Sequence, residues 1–271
     1  MSRPLQELDV ISAGPAARPR PFDDGGGAAI GSNGNGNGAA KLPMIGGEVV
    51  DPAEVAAEVE ELDAVEAIAW VVERFHPQLY FAVSFQKTSS VTIDIAHRIE
   101  PGARFFYLDT ELLFPETYET RDRLAEHYGI EFERYAGISV AEQADRHGAN
   151  LWRRDPDACC AIRKVEVMHH ALGGMQCWVS GIRRVDSETR VGAAKFGWDK
   201  RFGLWKLNPL ADWDDKRVWT YIKDHQVPYN PLHDQGYPSI GCMPCTSPAD
   251  GEDARSGRWA GTTRTECGIN G

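Results

Sequence analysis

"LYFAVSFQKTSSVTIDIAHRI", residues 79–99, decides the fold. Its first seven residues form a nearly unbroken apolar run, as expected of a strand buried on both faces. A polar stretch follows, and then a helical pattern that persists despite its β-branched residues. A strand that passes at once into a helix is the repeating unit of a parallel sheet, and the unit recurs downstream. "RFFYLDT" (104–110) reads as a second buried strand, and "PETYETRDRLAEHYG" as a helix with Pro115 early and Gly129 at its end. "EFERYAG" and "SVAEQADRHG" give a third strand and a third helix. "QCWVSGI" (176–182) gives a fourth strand and "LWKLNPLAD" a short fifth; "DDKRVWTYIKDHQ" is a helix capped by Asp214 or Asp215. Upstream, residues 51–75 read as one helix opened by Asp51 and Pro52, with Val55, Val59, Leu62, Val65 and Trp70 at helical spacing. The alternation predicts an α/β fold with a mainly parallel sheet, and no internal repeat is present.

A chain of 271 residues, 42% hydrophobic, has enough apolar material for one good core. Residues 1–47 are mostly Gly, Asn, Pro and Ala and cannot offset the entropy of ordering, so they are expected to form a disordered tail. The folded part is expected over 48–250, with a C-terminal tail over 251–271. No run approaches the ~18 apolar residues of a membrane helix, and the N-terminus lacks a secretory pattern. A cytoplasmic protein is expected, with its cysteines reduced and therefore suited to metal or redox chemistry. The net charge of −11 argues against general nucleic-acid binding. Local basic loops within an acidic chain suit a small anionic ligand better.

In such folds, ligands bind beyond the carboxyl ends of the strands. That rule places "SFQKTSS", "LDTELLF" and "SGIRRVDSETR" on one rim. In the first loop, the backbone N–H groups of a helix start, Lys87, and the hydroxyls of Ser84, Thr88, Ser89 and Ser90 suit a phosphate. A serine-rich helix cap would use the same residues. Neither a Walker loop nor the S-G-G-x-D-S of ATP pyrophosphatases is present. Asp109 and Thr110 end the second strand, where Asp109 could equally be a helix cap. Arg183, Arg184 and Arg190 put three guanidinium groups within eight residues, a pattern expected of an anion site.

Cys159 and Cys160, with the Cys242-x-x-Cys245 pair, make a set of four thiols. Neighbours on a helix point ~100° apart, so two adjacent thiolates fit an iron–sulfur cluster better than one tetrahedral zinc. Lys164 lies one turn beyond Cys160 and could offset thiolate charge. Cys177 reads as a core cysteine. Cys267 sits in the polar, glycine-flanked "TRTECGING", badly placed for packing and well placed to move. Arg255, Arg258 and Arg264 would raise its thiolate fraction.

Together, "VSFQKTSSV", "YLDTELLFPETY", "DACCAIRKVE", "GIRRVDSETR", "WKLNPLADWDDKRVWTYI", "VPYNPLHDQGYPSIGCMPCTSP", "GEDARSGRW" and "TECG" carry a resemblance from about Leu79 onward. The chain resembles the assimilatory adenylyl-sulfate reductases, within the family that includes the phosphoadenylyl-sulfate reductases. The resemblance implies a Rossmann-like adenine-nucleotide alpha-hydrolase fold, with helices on both faces of the sheet and a mobile C-terminal tail that carries the nucleophile. It implies that Cys267 is catalytic, and that Cys159, Cys160, Cys242 and Cys245 hold a [4Fe–4S] cluster, as in the enzymes that act on adenylyl sulfate (APS). Relatives that act on the 3′-phosphorylated substrate (PAPS) usually lack those four cysteines. The expected reaction turns APS into sulfite and AMP through an S-sulfocysteine, with thioredoxin or a similar thiol as reductant. Lys164, Arg183, Arg184, Arg190, Arg255 and Arg258 are expected around the anions, with Lys164 bridging cluster and sulfate. One position departs from the family pattern: the usual tail E-C-G-[IL]-H has Asn270 in place of His. Weaker anchoring of the tail is expected there.

Three rival readings remain at this level: a PAPS reductase, a PP-loop enzyme that thiolates tRNA, and a non-catalytic zinc- or cluster-binding module. The oligomeric state is left open, a homo-oligomer included.

Overall fold

The computed structural model describes residues 42–270, apart from 252, 261 and 263. Most of the expected tail over 1–47 therefore lies outside the described residues. Its last part does not match the expectation: β1 (Met44–Ile45) and β2 (Glu48–Val49) pair as a small antiparallel hairpin. The Met44 carbonyl accepts a hydrogen bond from the Trp205 indole N–H at 2.9 Å, which ties this hairpin to the body.

The single helix expected over 51–75 is two helices, α1 (Pro52–Glu60) and α2 (Ala64–Phe75). The break has a local cause. The Asp63 carboxylate accepts from the N–H groups of Val65 and Glu66, while Glu66 reaches back to the Asp63 N–H, forming a capping box that starts a new helix.

The strand–helix units then follow in the expected order. They are β3 (Leu79–Ala82), α3 (Lys87–Ile99), β4 (Arg104–Asp109), α4 (Pro115–Tyr128), β5 (Phe132–Ala136) and α5 (Val140–His147). Short helices α6 (Leu151–Arg154) and α7 (Pro156–Cys160), a π-helical turn over Ala161–Val165, and α8 (Glu166–Ala171) lead to β6 (Cys177–Val179). Next come β7 (Phe196–Asp199), β8 (Leu204–Leu207) and α9 (Asp215–His225), the last capped by Asp214, whose carboxylate accepts from the Arg217 N–H.

The main sheet has the order β5-β4-β3-β6-β8-β7. Every pairing is parallel except β7 with β8. The chain starts in the middle at β3, moves outward through β4 to β5, and returns to the other side of β3 as β6. The order thus reverses between β3 and β6, where such folds open a crevice.

Alternation within the strands feeds two apolar layers. Leu79, Phe81, Phe105, Cys177 and Val179 pack with Ile68 and Val71 of α2, Val91 and Ile95 of α3, and Val218 and Ile222 of α9. Tyr80, Phe106, Trp178 and Leu204 face the other way, against Met168, Ala171 and Leu172. Helices therefore cover both faces, as expected. Among the described residues, no helix is long and apolar enough to cross a membrane.

Candidate functional site

The crevice beside β3 and β6 opens into a cleft at their carboxyl ends. Its walls include Ser84, Lys87, Thr88, Thr110, Ser180 and Gly181 from the strand ends, and Cys242, Arg258 and Cys267 from the C-terminal segment. A sharp turn makes the β3 rim. Phe85 has φ +56°, in the left-handed region, while its ring is buried edge-on against Tyr107 and Phe132. The turn brings the chain directly into α3, whose N-cap residue Gln86 makes no capping bond; the Lys87 N–H instead donates to His233 Nε2 at 3.0 Å. The hydroxyls are therefore not used as a serine-rich cap. Ser89 Oγ accepts from the Ser84 N–H at 2.9 Å, which shapes the loop, and Ser90 is fully buried. Ser84, Lys87 and Thr88 face the cleft; Ser89 and Ser90 do not line it.

The expected anion ligands divide in the same way. Asp109 does not line the cleft: it accepts from the Glu111 N–H at 2.8 Å, the Tyr118 hydroxyl at 2.7 Å and Arg134 Nε at 2.6 Å. Burial pushes its carboxyl up, but these donors outweigh it and hold the pKa below the ordinary value. Arg184 also points away. It binds both oxygens of Glu60, at 2.8 and 2.9 Å, and the Ala193 carbonyl, so it fastens α1 to the body. Both residues are structural, which corrects the expectation that they touch substrate.

Lys87, Arg183, Arg190, Arg255 and Arg258 do line the cleft. Lys87 and Arg183 share Asp215, at 2.8 and 2.7 Å, and Arg183 also pairs with Asp186 at 2.7 Å. The remaining nitrogen of Arg183, Nη1, is buried with no hydrogen-bond partner among the described residues. Arg190 grips Glu266 through two nitrogens, at 2.6 and 2.8 Å, and Arg255 approaches the same carboxylate at 3.5 Å. Burial pushes the Glu266 carboxyl up, yet Arg190 and Arg255 hold it below its usual range. A carboxylate of the chain itself thus occupies two of the expected anion-binding arginines.

The four expected metal-site cysteines come together. Cys159, Cys160, Cys242 and Cys245 all line one small cavity, with Arg163, Lys164 and Trp259. Cys159 and Cys160 arrive at the end of α7, where the helix widens into its π turn. Cys242 is pinned by pairing with Leu113, by the Met243 N–H on the Leu112 carbonyl at 2.7 Å, and by contact with the Thr110 hydroxyl at 3.2 Å. Glycine at 241 lets the Arg258 guanidinium pack against the backbone, since a Cβ would stand 2.2 Å from Arg258 Nη2 and displace it. Among the described residues no three His, Cys, Asp or Glu side chains are grouped to hold one metal ion, although the four thiols line one cavity. Burial raises the pKa of Cys159, Cys160 and Cys245, the last to about 11. Cys177 lies fully buried in the core, as expected.

Lys164, Cys242 and Trp259 line both the cleft and the cysteine cavity and so form the wall between them. Burial pushes the Lys164 ammonium down, but thiolate charge at Cys242, Cys267 and Cys160 outweighs it and raises its pKa. Cys267 mirrors this. Burial pushes its thiol up, while Lys164, the Ile269 backbone N–H and Arg258 bring it below the ordinary value. A lowered thiol facing a cleft of cations has the chemistry of a nucleophile.

Several site residues carried no sequence signal of their own. Arg163 is buried and donates to the Gln143 side chain and the Thr110 carbonyl, each at 2.6 Å. Trp259 lies beneath three guanidinium groups, those of Arg255, Arg258 and Arg264, at 5.8, 4.4 and 5.3 Å from its ring centre. The "ARSGRW" run contains the ring and two of the arginines, but not the fold that gathers Arg255, Arg258 and Arg264 over it.

The pattern that describes the phosphoadenosine phosphosulfate reductase domain matches residues 78–248. An adenosine 5'-phosphosulfate reductase of Salinibacter ruber is 41% identical over 221 residues, spanning 80% of this chain and 88% of that protein. One from Staphylococcus haemolyticus is 43% identical over 211 residues, 76% of this chain and 86% of that protein. Among solved structures, the phosphoadenylyl-sulfate (PAPS) reductase from Candida auris, a phosphate complex, superposes with a TM-score of 0.64 at 31% identity. That match covers 72% of this chain and 95% of the other.

Proposed function

The chain belongs to the phosphoadenosine phosphosulfate reductase domain family, and from that premise we propose that it reduces APS to sulfite and AMP in assimilatory sulfate reduction. The observation that carries the reading is the placing of Cys267 in one cleft with Lys87, Arg183, Arg190 and Arg258, separated only by Lys164, Cys242 and Trp259 from a cavity lined by four more thiols.

The start of α3 and the Lys87 side chain receive an AMP phosphate, since the N–H groups of a helix's first turn and a cation beside them favour an anion. Lys164, Arg190, Arg255 and Arg258 face the sulfate and stabilise the charge that grows on the leaving phosphate. The Cys267 thiolate attacks the APS sulfur: a sulfur–sulfur bond forms, the sulfur–oxygen anhydride bond breaks, and AMP leaves with that bond pair. A dithiol reductant of the thioredoxin type then attacks Cys267 Sγ, and sulfite departs with the electrons of the sulfur–sulfur bond. The second thiol of the reductant closes its own disulfide and returns Cys267 as a thiol. The dithiol supplies both electrons.

A [4Fe–4S] cluster suits the donor set of the cysteine cavity. Four thiols surround it, and Arg163, which also lines it, has a buried Nη2 with no partner among the described residues, a donor suited to sulfur. When bound, such a cluster supplies a compact charge against the wall formed by Lys164. Cys159, Cys160, Cys242 and Cys245 would hold it.

The test is the intact mass of anaerobically purified protein after incubation with APS and no thiol. A gain of one SO₃ group mapped to Cys267, absent in Cys267→Ser, is the expected result. An adduct with PAPS alone would keep the chemistry and replace the substrate, as the Candida auris likeness would then suggest. No adduct with either nucleotide would overturn the reading.

A further inference from the structure

Cys267 is held on both sides. Before it, Glu266 is gripped by Arg190 and Arg255. After it, Gly268 turns the chain at φ +83° and its carbonyl accepts from Arg201 Nη1, while Ile269 packs on the apolar layer that contains Trp178 and Phe202. The last of these contacts lies at the residue where this tail departs from the family pattern. Asn270 Oδ1 accepts a hydrogen bond from Lys206 Nζ at 2.9 Å.

Lys206 is an odd residue for its position. It stands mid-strand in β8 between Trp205 and Leu207, both buried, and alternation turns it to the other face, opposite Trp178 of β6. Its ammonium lies 4.5 Å from the Trp178 ring centre. A cation held over an indole at a strand's centre is costly to keep unless it is used. Lys206 reaches over that ring to the tail.

We propose that Lys206 is a positioning residue that holds Cys267 over the cleft through the side-chain amide of Asn270. An amide oxygen suits the role. It accepts from an ammonium at any pH, whereas an imidazole at 270 would lose its acceptor and repel Lys206 once protonated. Asn270 is thereby matched to its partner, and tail anchoring is not weakened by the departure. The charged groups around Lys206 are Asp199 and Glu266, which favour its ammonium, and Arg201 and Arg190, which oppose it; desolvation leads, and its pKa falls to about 8. The latch should therefore loosen as pH rises above about 8, when the donor loses its charge.

The inference rests on Cys267 being the nucleophile, but its test does not depend on that alone. Full-length Lys206→Met, Asn270→Ala and the double variant are compared with the parent in two measurements. The first is the rate at which iodoacetamide alkylates Cys267, read from the peptide mass. The second is the single-turnover rate of S-sulfo adduct formation at saturating APS. Each single variant is expected to speed alkylation and slow adduct formation, each by about tenfold, the worth of one charge-assisted hydrogen bond. The APS concentration for half-saturation should move by less than about threefold, because the latch acts on the nucleophile and not on the nucleotide. The double variant should be no worse than the worse single one, and Asn270→Asp, which keeps an acceptor, should stay within about twofold of the parent. Asn270→Ala alters only a tail side chain, so an effect there is not a folding defect. Singles within twofold of the parent in both measurements, or effects that multiply in the double variant, would overturn the latch. If the parent forms no adduct, the proposed reaction falls, and the alkylation rates still decide the latch.

Discussion

At the scale of single residues, partners decide what a charged side chain is for, and the partners are often far away in sequence. Asp109 shows the point: three donors from two elements and a loop close on it. Its folded pKa is lowered, so its contribution is present above the unfolded value of about 3.9 and disappears as pH falls through the lower folded value. Asp109→Asn should cost about 2–4 kcal/mol at pH 7, and the difference from the parent should shrink toward zero in urea melts near pH 2–3. Arg184 and Arg190 offer a second contrast. Sequence reading saw both in one basic cluster, but Arg184 binds Glu60 and Arg190 binds Glu266 inside the cleft. Arg184→Met should leave APS half-saturation within about twofold and cost about 1 kcal/mol of stability, while Arg190→Met should raise half-saturation about tenfold or more. The cluster was legible from spacing. The division within it was not, because Glu60 and Glu266 lie far away along the chain.

At the scale of elements, the strand–helix units were legible because burial on both faces leaves long apolar runs. The failures have equally local causes. The break between α1 and α2 hid in Asp63 and Glu66, whose capping box is a polar signal inside an apolar repeat. Asp63→Ala should lower stability by about 1 kcal/mol, visible as a shift of a few degrees in thermal melts. Strand β7 escaped notice because "FGWD" is short and contains a glycine. The π turn over Ala161–Val165 was invisible to a reading based on a regular helix, yet it sets how Cys159, Cys160 and Lys164 face their two cavities. Removing the exposed Ala161 should close that turn to α-helix and take away the widening that sets Cys159 and Cys160 against Lys164. On the proposal that the four thiols hold a cluster, the expected result is loss of more than about half of the bound iron and its visible absorbance, with circular dichroism unchanged. Undiminished iron would mean that the turn does not set the thiols' positions.

For the whole molecule, the reversal between β3 and β6 gathers loops from residues 84, 110 and 181 and the C-terminal segment at one opening. The larger apolar layer draws its buried residues from Val59 to Val227. The loops of the site are thus interleaved with the core elements, and the C-terminal segment alone lies beyond them. Deleting residues 264–271 should leave the melting temperature within about 3 °C, because only Ile269 leaves an apolar layer, and should abolish the SO₃ adduct. The grip of Arg190 and Arg255 on Glu266 then takes on a further meaning. Glu266 and Cys267 are joined by one peptide bond, so the anion seat and the nucleophile behave as an interlock. An anion that takes the arginines must lift the carboxylate, and in doing so it moves the thiol. Occupancy of the seat becomes readable at the sulfur: AMP alone should change the alkylation rate of Cys267, and in Glu266→Gln that response should be blunted.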